Sequence, residues 1–222
     1  MMRRIFFTIA ILLFSWNVFS QGIQFEIGSW KEVLQKAKQE NKLIFVDLYT
    51  TWCGPCKKMA AETFPQQAVG DYFNKNFVNY KIDAEKGEGP ELAGKYEVSA
   101  YPTLVFVNAA GELVYKFMGV RTADKLIAEG EKAVRLYALA PSIAAMEKEY
   151  EQGKRGKVFL GEYYALLKES GAGGGIVLNE YLKCLSDEEL LLEENVSNIG
   201  NISIFDPVLF DRLVKGIKKV EG

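Results

Sequence analysis

The 222-residue chain contains no histidine. That absence rules out a Ser-His-Asp triad, a Cys-His protease pair and any imidazole-ligated metal centre. Cysteine is scarce too: three residues cannot form a four-thiolate zinc site within one chain. The 27 basic and 29 acidic residues include no block of like charge, so the electrostatic footprint of a nucleic-acid binder is missing. Chemistry must therefore come from cysteine, carboxylates, lysine or tyrosine. The rest of the composition, 49% hydrophobic and 25% charged, is ordinary for a globular protein. The length allows one domain with an appendage, or two small domains.

Charge is also missing from Ile5 to Phe19. Arg3 and Arg4 precede this run, and Val18-Phe19-Ser20 offers a cleavage site after Ser20. Residues 1–20 thus have the layout of a secretory signal peptide, and the protein is expected to be exported. An uncleaved membrane anchor is the alternative, although about fifteen apolar residues fall short of the ~20 that span a bilayer. No cysteine follows the run, which argues against lipid attachment. Removing Arg3 and Arg4 moves the formal net charge of −2 further to the acidic side.

Beyond residue 20 the periodicities alternate. Ser29 and Glu32 have capping-box spacing, and Trp30, Val33, Leu34 and Ala37 share one face of a helix ending near Asn41. Leu43 to Tyr49 is a short run of strand formers, expected as a central strand covered on both sides. A helix follows from Cys53 to about Phe64, and a second after Pro65 to about Lys75. Phe77 to Asp83 is a strand and Pro90 to Tyr96 a short helix. Thr103 to Asn108 and Leu113 to Met118 flank the hairpin signal Ala110-Gly111. Thr122 caps a long helix carrying Leu126, Ile127, Ala133, Val134 and Tyr137. The order α-β-α-β-α-β-β-α implies a sheet with helices on both faces.

After Pro141 only helical patterns occur, five short ones in all. Leu160, Tyr163, Tyr164 and Leu167 mark one apolar face, and Val177, Tyr181, Cys184 and Leu185 another. Cys184 is expected as a small core hydrophobe. Gly171 to Gly175 reads as a joint, and Ser186 with Glu189 as a second capping box. Asp206-Pro207 opens a last helix, on which Phe210, Leu213, Val214 and Ile217 align. Asn195-Val196-Ser197 and Asn201-Ile202-Ser203 match the glycosylation sequon and are read as chance.

A lone C-x-x-C is compatible with a metal half-site, a structural disulfide or accident. Here Cys53 and Cys56 follow a buried-type strand and open a helix. The unpaired N–H groups and the dipole at that end favour a thiolate. Pro55 falls in the first turn, where its missing N–H does little harm. A structural disulfide across so tight a loop constrains the unfolded chain little, which weighs against stability as its purpose.

Ile44-Phe45-Val46-Asp47-Leu48-Tyr49, then Trp52-Cys53-Gly54-Pro55-Cys56-Lys57, resembles the thioredoxin superfamily almost position for position. Tyr101-Pro102-Thr103 resembles that family's cis-proline loop, and Ala110-Gly111-Glu112 and Gly119 fall at its hairpin and groove glycine. The resemblance covers roughly residues 24–138. It implies an α/β chain: a thioredoxin fold, a central mixed sheet with helices on both faces, over residues 21–140. A small all-α region, the helical C-terminal extension, then occupies residues 141–222. It further implies that Cys53 is an exposed nucleophile and Cys56 a buried resolving thiol. Asp47 would be the buried carboxylate that moves a proton to and from Cys56. Trp52, Gly54, Pro55, Tyr101, Pro102, Thr103 and Gly119 would bind substrate.

Several positions depart from thioredoxin. Tyr49 stands where thioredoxin has a second tryptophan, and Ala61 where it has its helix-kinking proline. The loop from Ala84 to Glu91 is longer. Thr63-Phe64-Pro65 followed by a separate helix resembles exported thioredoxin-like proteins such as the C-terminal domain of the membrane reductant transporter DsbD. The resemblance thus implies a periplasmic or extracytoplasmic thiol:disulfide oxidoreductase. Its substrates would be proteins with disulfides, and a membrane thiol donor would re-reduce it, with no cofactor, metal or nucleic acid. The Gly-Pro dipeptide and the lack of histidine between the cysteines point to reduction. An isomerase, or a partner-binding module on a thioredoxin scaffold, are the alternatives.

Overall fold

A computed structural model describes residues 22–171, 173–199 and 206–221. The expected signal peptide and the second sequon lie outside the described residues. The chain divides into two compact units between Ala128 and Glu129.

The first unit runs β1 (Phe25–Glu26), α1 (Trp30–Glu40), β2 (Leu43–Tyr49) and α2 (Gly54–Lys58). A π-helical stretch over Met59–Thr63 continues α2. Then come α3 (Gln67–Asn76), β3 (Phe77–Asp83), α4 (Gly89–Lys95), β4 (Thr103–Val107), β5 (Leu113–Met118) and the start of α5 (Ala123–Glu151). The sheet order is β1-β3-β2-β4-β5, with β2 in the middle as its apolar run requires. β1 and β2 lie parallel to β3, whereas β4 is antiparallel to both β2 and β5. This is the expected thioredoxin fold. The sequence reading lacks β1, because two residues carry no detectable alternation.

Strand periodicity sorts the core. Ile44, Val46 and Leu48 point to the side where Val33 and Ala37 of α1 and Leu92 of α4 pack. Phe45 faces the opposite side, where its ring meets Phe73 of α3 at 4.7 Å and Phe64 at 6.4 Å. Asp47 shares that second face by alternation, placing a carboxyl under the helix that begins at Cys53.

Both expected capping boxes form. Ser29 accepts the Glu32 N–H, and Glu32 accepts the Ser29 N–H at 2.8 Å. The chain leaves α1 at Asn41 in the left-handed region. Ser29→Ala is expected to cost about 1 kcal/mol of unfolding free energy. It should lower the urea midpoint with no change in slope. In the hairpin, Asn108 Oδ1 accepts the N–H groups of Ala110 and Glu112, and Gly111 takes φ +74°.

The second unit contains the rest of α5, then α6 (Lys157–Ser170), α7 (Gly175–Lys183), α8 (Asp187–Leu190), α9 (Glu193–Ile199) and α10 (Pro207–Glu221). Leu160, Tyr163, Tyr164 and Leu167 are buried as expected, against Val177, Leu178 and Leu182. α5 runs unbroken through Pro141. Two expectations need correction. Cys184 is exposed, because α7 ends at Lys183 and Leu178 and Leu182 take the core positions. On α10 the buried pair is Leu209 and Leu213, an i, i+4 stripe, which leaves Phe210 58% and Ile217 46% exposed. On α5, Leu126 and Ala133 are buried but Val134 and Tyr137 are exposed.

Candidate active site

β2 ends at Tyr49, and after three intervening residues the chain enters α2 with Cys53 as its N-cap in an extended conformation. Pro55 lies in the first turn, where no helical N–H is missed. Cys53 and Cys56 are joined by a disulfide with their Cα atoms 5.3 Å apart. The Cys56 N–H donates to Cys53 Sγ at 3.0 Å. In the reduced protein that donor and the helix dipole would stabilise a Cys53 thiolate.

Cys53 is not the exposed residue that the sequence reading expects: it is 3% exposed, against 5% for Cys56. The disulfide turns its sulfur inward, toward Cys56 and the first turn. Exposure at this rim belongs instead to Trp52, Gly54 and Pro55.

Beneath α2 lies a cavity of about 610 Å³ whose walls include Asp47, Thr50, Cys56, Lys57, Phe64 and Lys81. Asp47 is 5% exposed, and its Oδ1 has no hydrogen-bond partner among the described residues. Burial disfavours the charged carboxylate and pushes its pKa up to about 7, while the Lys81 ammonium pulls the other way. Lys81 is the β3 residue in register with Asp47. A carboxyl poised near neutrality beside a thiol is suited to accepting and returning a proton.

The loop before β4 lies beside the end of β2, where Thr103 is in register with Leu48. The Tyr101–Pro102 peptide is cis, and Pro102 and Thr103 are buried. Gly119, at φ +86°, donates its N–H to the Pro102 carbonyl at 2.9 Å. Thr103 Oγ1 donates to the Ala100 carbonyl at 2.6 Å. Trp52, 64% exposed, meets Tyr101 edge-to-face at 5.9 Å, and its indole N–H donates to the Glu85 carboxylate at 3.0 Å. Trp52, Tyr101, Pro102 and Gly119, drawn from three chain segments, are thus tied together in pairs.

Three neighbours went unnoticed in the sequence. Lys81 breaks an otherwise uncharged strand start, a usable signal once β2 and β3 are paired. Glu85 lies in the long loop after β3, with nothing local to mark it. Thr50 is one of two adjacent threonines, and only burial separates them.

Residues 23–132 match the family profile described as Thioredoxin. Thioredoxin H4 of Arabidopsis thaliana is 38% identical over 95 residues, 43% of this chain and 75% of that protein. A protein disulfide-isomerase of Triticum aestivum is 32% identical over 95 residues, 43% of this chain but 18% of its own length. The chain therefore spans less than a fifth of the plant protein disulfide-isomerases it matches. Among solved structures, a Bacteroides thetaiotaomicron protein provisionally described as a disulphide-isomerase is 50% identical. That match covers 51% of this chain and 94% of the other, with a TM-score of 0.48. The oxidised C-terminal domain of Neisseria meningitidis DsbD is 26% identical, covering 50% of this chain and 98% of that domain, with a TM-score of 0.42. Since the profile spans nearly all of the described first unit and thioredoxin H4 is matched over three-quarters of its length, the chain belongs to the thioredoxin family.

Proposed function

We propose that the chain is an exported thiol:disulfide oxidoreductase that reduces disulfides in proteins of a periplasmic or other extracytoplasmic compartment. The observation that carries this reading is that Cys56 and the buried Asp47 line one cavity while Cys53 caps the helix above it. In the reduced enzyme the Cys53 thiolate attacks a substrate disulfide, releases one substrate sulfur and forms a mixed disulfide. Cys56 passes its proton to Asp47 and attacks Cys53 Sγ. The second substrate sulfur leaves with the electron pair, and the disulfide seen here remains.

Trp52, Gly54, Pro55, Tyr101, Pro102, Thr103 and Gly119 form the surface on which an extended substrate segment is held across the disulfide. Each turnover consumes two electrons, which a membrane thiol donor returns. Residues 21–140 carry the exchange, and full insulin-reduction activity without residues 141–222 would make that helical region an accessory. Export rests on the layout of residues 1–20.

The test is the redox equilibrium of Cys53–Cys56 against dithiothreitol, on protein lacking residues 1–20. A potential below about −230 mV is expected of a reductase, with catalysis of insulin reduction. The plant relatives named protein disulfide-isomerase favour isomerisation as a second reading. A potential of about −120 to −180 mV would favour that reading, or an oxidant, and overturn the reductase.

A further inference from the structure

The second unit holds a pocket of about 370 Å³ between the C-terminal end of α5, α6 and the first turn of α7. Glu147 and Glu151 stand one turn apart on α5 and bring two carboxylates to its lining, with Tyr150 beside them. Like charges at that spacing repel each other. Neither forms an ion pair among the described residues, whereas the neighbouring acids do: Glu149 is held by Lys154 and Glu180 by Arg155. Tyr163 of α6, on the same pocket, is an independent sign. It is 5% exposed, with its ring against Tyr150 at 5.6 Å and Phe159 at 6.0 Å. The Tyr150 hydroxyl donates to Glu180 at 3.0 Å, but the Tyr163 hydroxyl has no hydrogen-bond partner among the described residues. Buried tyrosine hydroxyls ordinarily find one. Burial, and then the Glu147 and Glu151 charges, hold its pKa above the usual tyrosine value, so the phenol keeps its proton within reach of both fields.

We infer that this pocket binds an alkylammonium group, the chemistry of a lysine side chain or of a free aliphatic amine. An ammonium offers three N–H donors and one charge, which match two carboxylates and one phenolic oxygen. Val177 and Ile176 of α7 give the alkyl stem an apolar wall, and Ile176 is 75% exposed. Tyrosine ring faces also favour a cation. A metal ion suits the donors less well, since no cluster of three or more acidic or cysteine residues able to hold one occurs among the described residues. Two groups oppose a cation. Arg155 lies over the Tyr150 ring at 3.5 Å, but Glu180 already pairs with it. The N-terminus of α7 has no side-chain cap, and a helix dipole places about half a positive charge at such an end. Two full negative charges outweigh it. All of these residues belong to the second unit, so the site does not depend on the reductase reading.

The experiment is an NMR titration of the full-length protein with n-butylammonium chloride, following the Tyr163 ring and the Ile176 and Val177 methyl signals. A saturable shift with a midpoint of about 1–10 mM is expected for a ligand of this size. n-Butanol, which keeps the stem without the charge, and sodium acetate should produce none. Glu147→Gln and Glu151→Gln together should weaken binding about five- to tenfold. Tyr163→Phe, which keeps the ring, should weaken it about threefold. Unchanged signals from the first unit in each variant exclude unfolding as the cause. The two sources of the amine separate by affinity. Tighter binding of Nα-acetyl-lysine methylamide than of n-butylammonium would support a lysine on a partner protein, and tighter binding of cadaverine a free amine. The inference is overturned by the absence of a saturable shift up to about 100 mM, by an equal response to n-butanol, or by acetate binding in place of the amine. A midpoint unmoved in the double glutamine variant would overturn it as well.

Discussion

Replacing Cys53 by serine is expected to abolish disulfide reduction, lowering the rate by at least about a thousandfold, because a hydroxyl neither ionises nor attacks sulfur at neutral pH. Cys56→Ser should fail differently. Its Cys53 still sits at the N-cap, where the backbone N–H of residue 56 points at the sulfur. The first attack then proceeds, and the protein remains covalently joined to its substrate because the resolving thiol is gone. Mass spectrometry after mixing with oxidised insulin reads this directly. A stable adduct is expected with Cys56→Ser and none with Cys53→Ser. The reverse pattern would exchange the two roles and remove the helix N-terminus as the source of nucleophilicity.

The second large effect concerns stability and pH. Asp47 has its folded pKa raised to about 7, against about 3.9 in an unfolded chain. An acid raised in this way binds more protons folded than unfolded between those two values. Stability therefore falls as pH rises through that window, and the loss is complete above the folded pKa. A shift of about three units corresponds to about 4 kcal/mol once the carboxylate is fully ionised inside the fold. Asp47→Asn cannot ionise. Its own unpaired amide carries a cost, but one that does not change with pH. Relative to the variant, wild type is expected to lose about 2–3 kcal/mol of unfolding free energy between pH 5 and pH 8. Urea unfolding of both oxidised proteins at the two pH values measures that difference. Parallel pH dependences would mean that Asp47 is ordinary in its protonation, and would remove it as a proton acceptor. The same variant should slow the resolving step, since Cys56 loses its base.

Much of this protein was legible because the relevant forces act over a few residues. The capping boxes at Ser29 and Ser186, the apolar run of β2, the Ala110-Gly111 turn and the Cys53-to-Cys56 spacing depend on neighbours within about one helical turn or one hairpin. Those local signals alone determined the order of elements from α1 onward and the chemistry on offer, and with them the fold class. The π-helical stretch after Lys58 is where a helix pattern without a proline at Ala61 meets Phe64 and Pro65, and the pattern does not distinguish it from an α-helix.

What the sequence could not decide depends on register and on where elements stop. α7 ends one residue before Cys184, so the chain turns and the thiol faces solvent. On α10 the difference between Leu209 and Phe210 is a rotation of about 100°, which shows only when the helix has something to pack against. The cavity is the clearest case. Asp47 and Thr50 share a segment with Cys56, but Lys81 arrives from another strand, in register, and Phe64 from beyond the π-helical stretch. By itself the sequence determined which groups could exchange a disulfide. Only the tertiary structure decided that Asp47 is buried, with an oxygen that has no hydrogen-bond partner among the described residues, and that it shares a cavity lining with Cys56, because solvent exclusion is a property of the packed whole.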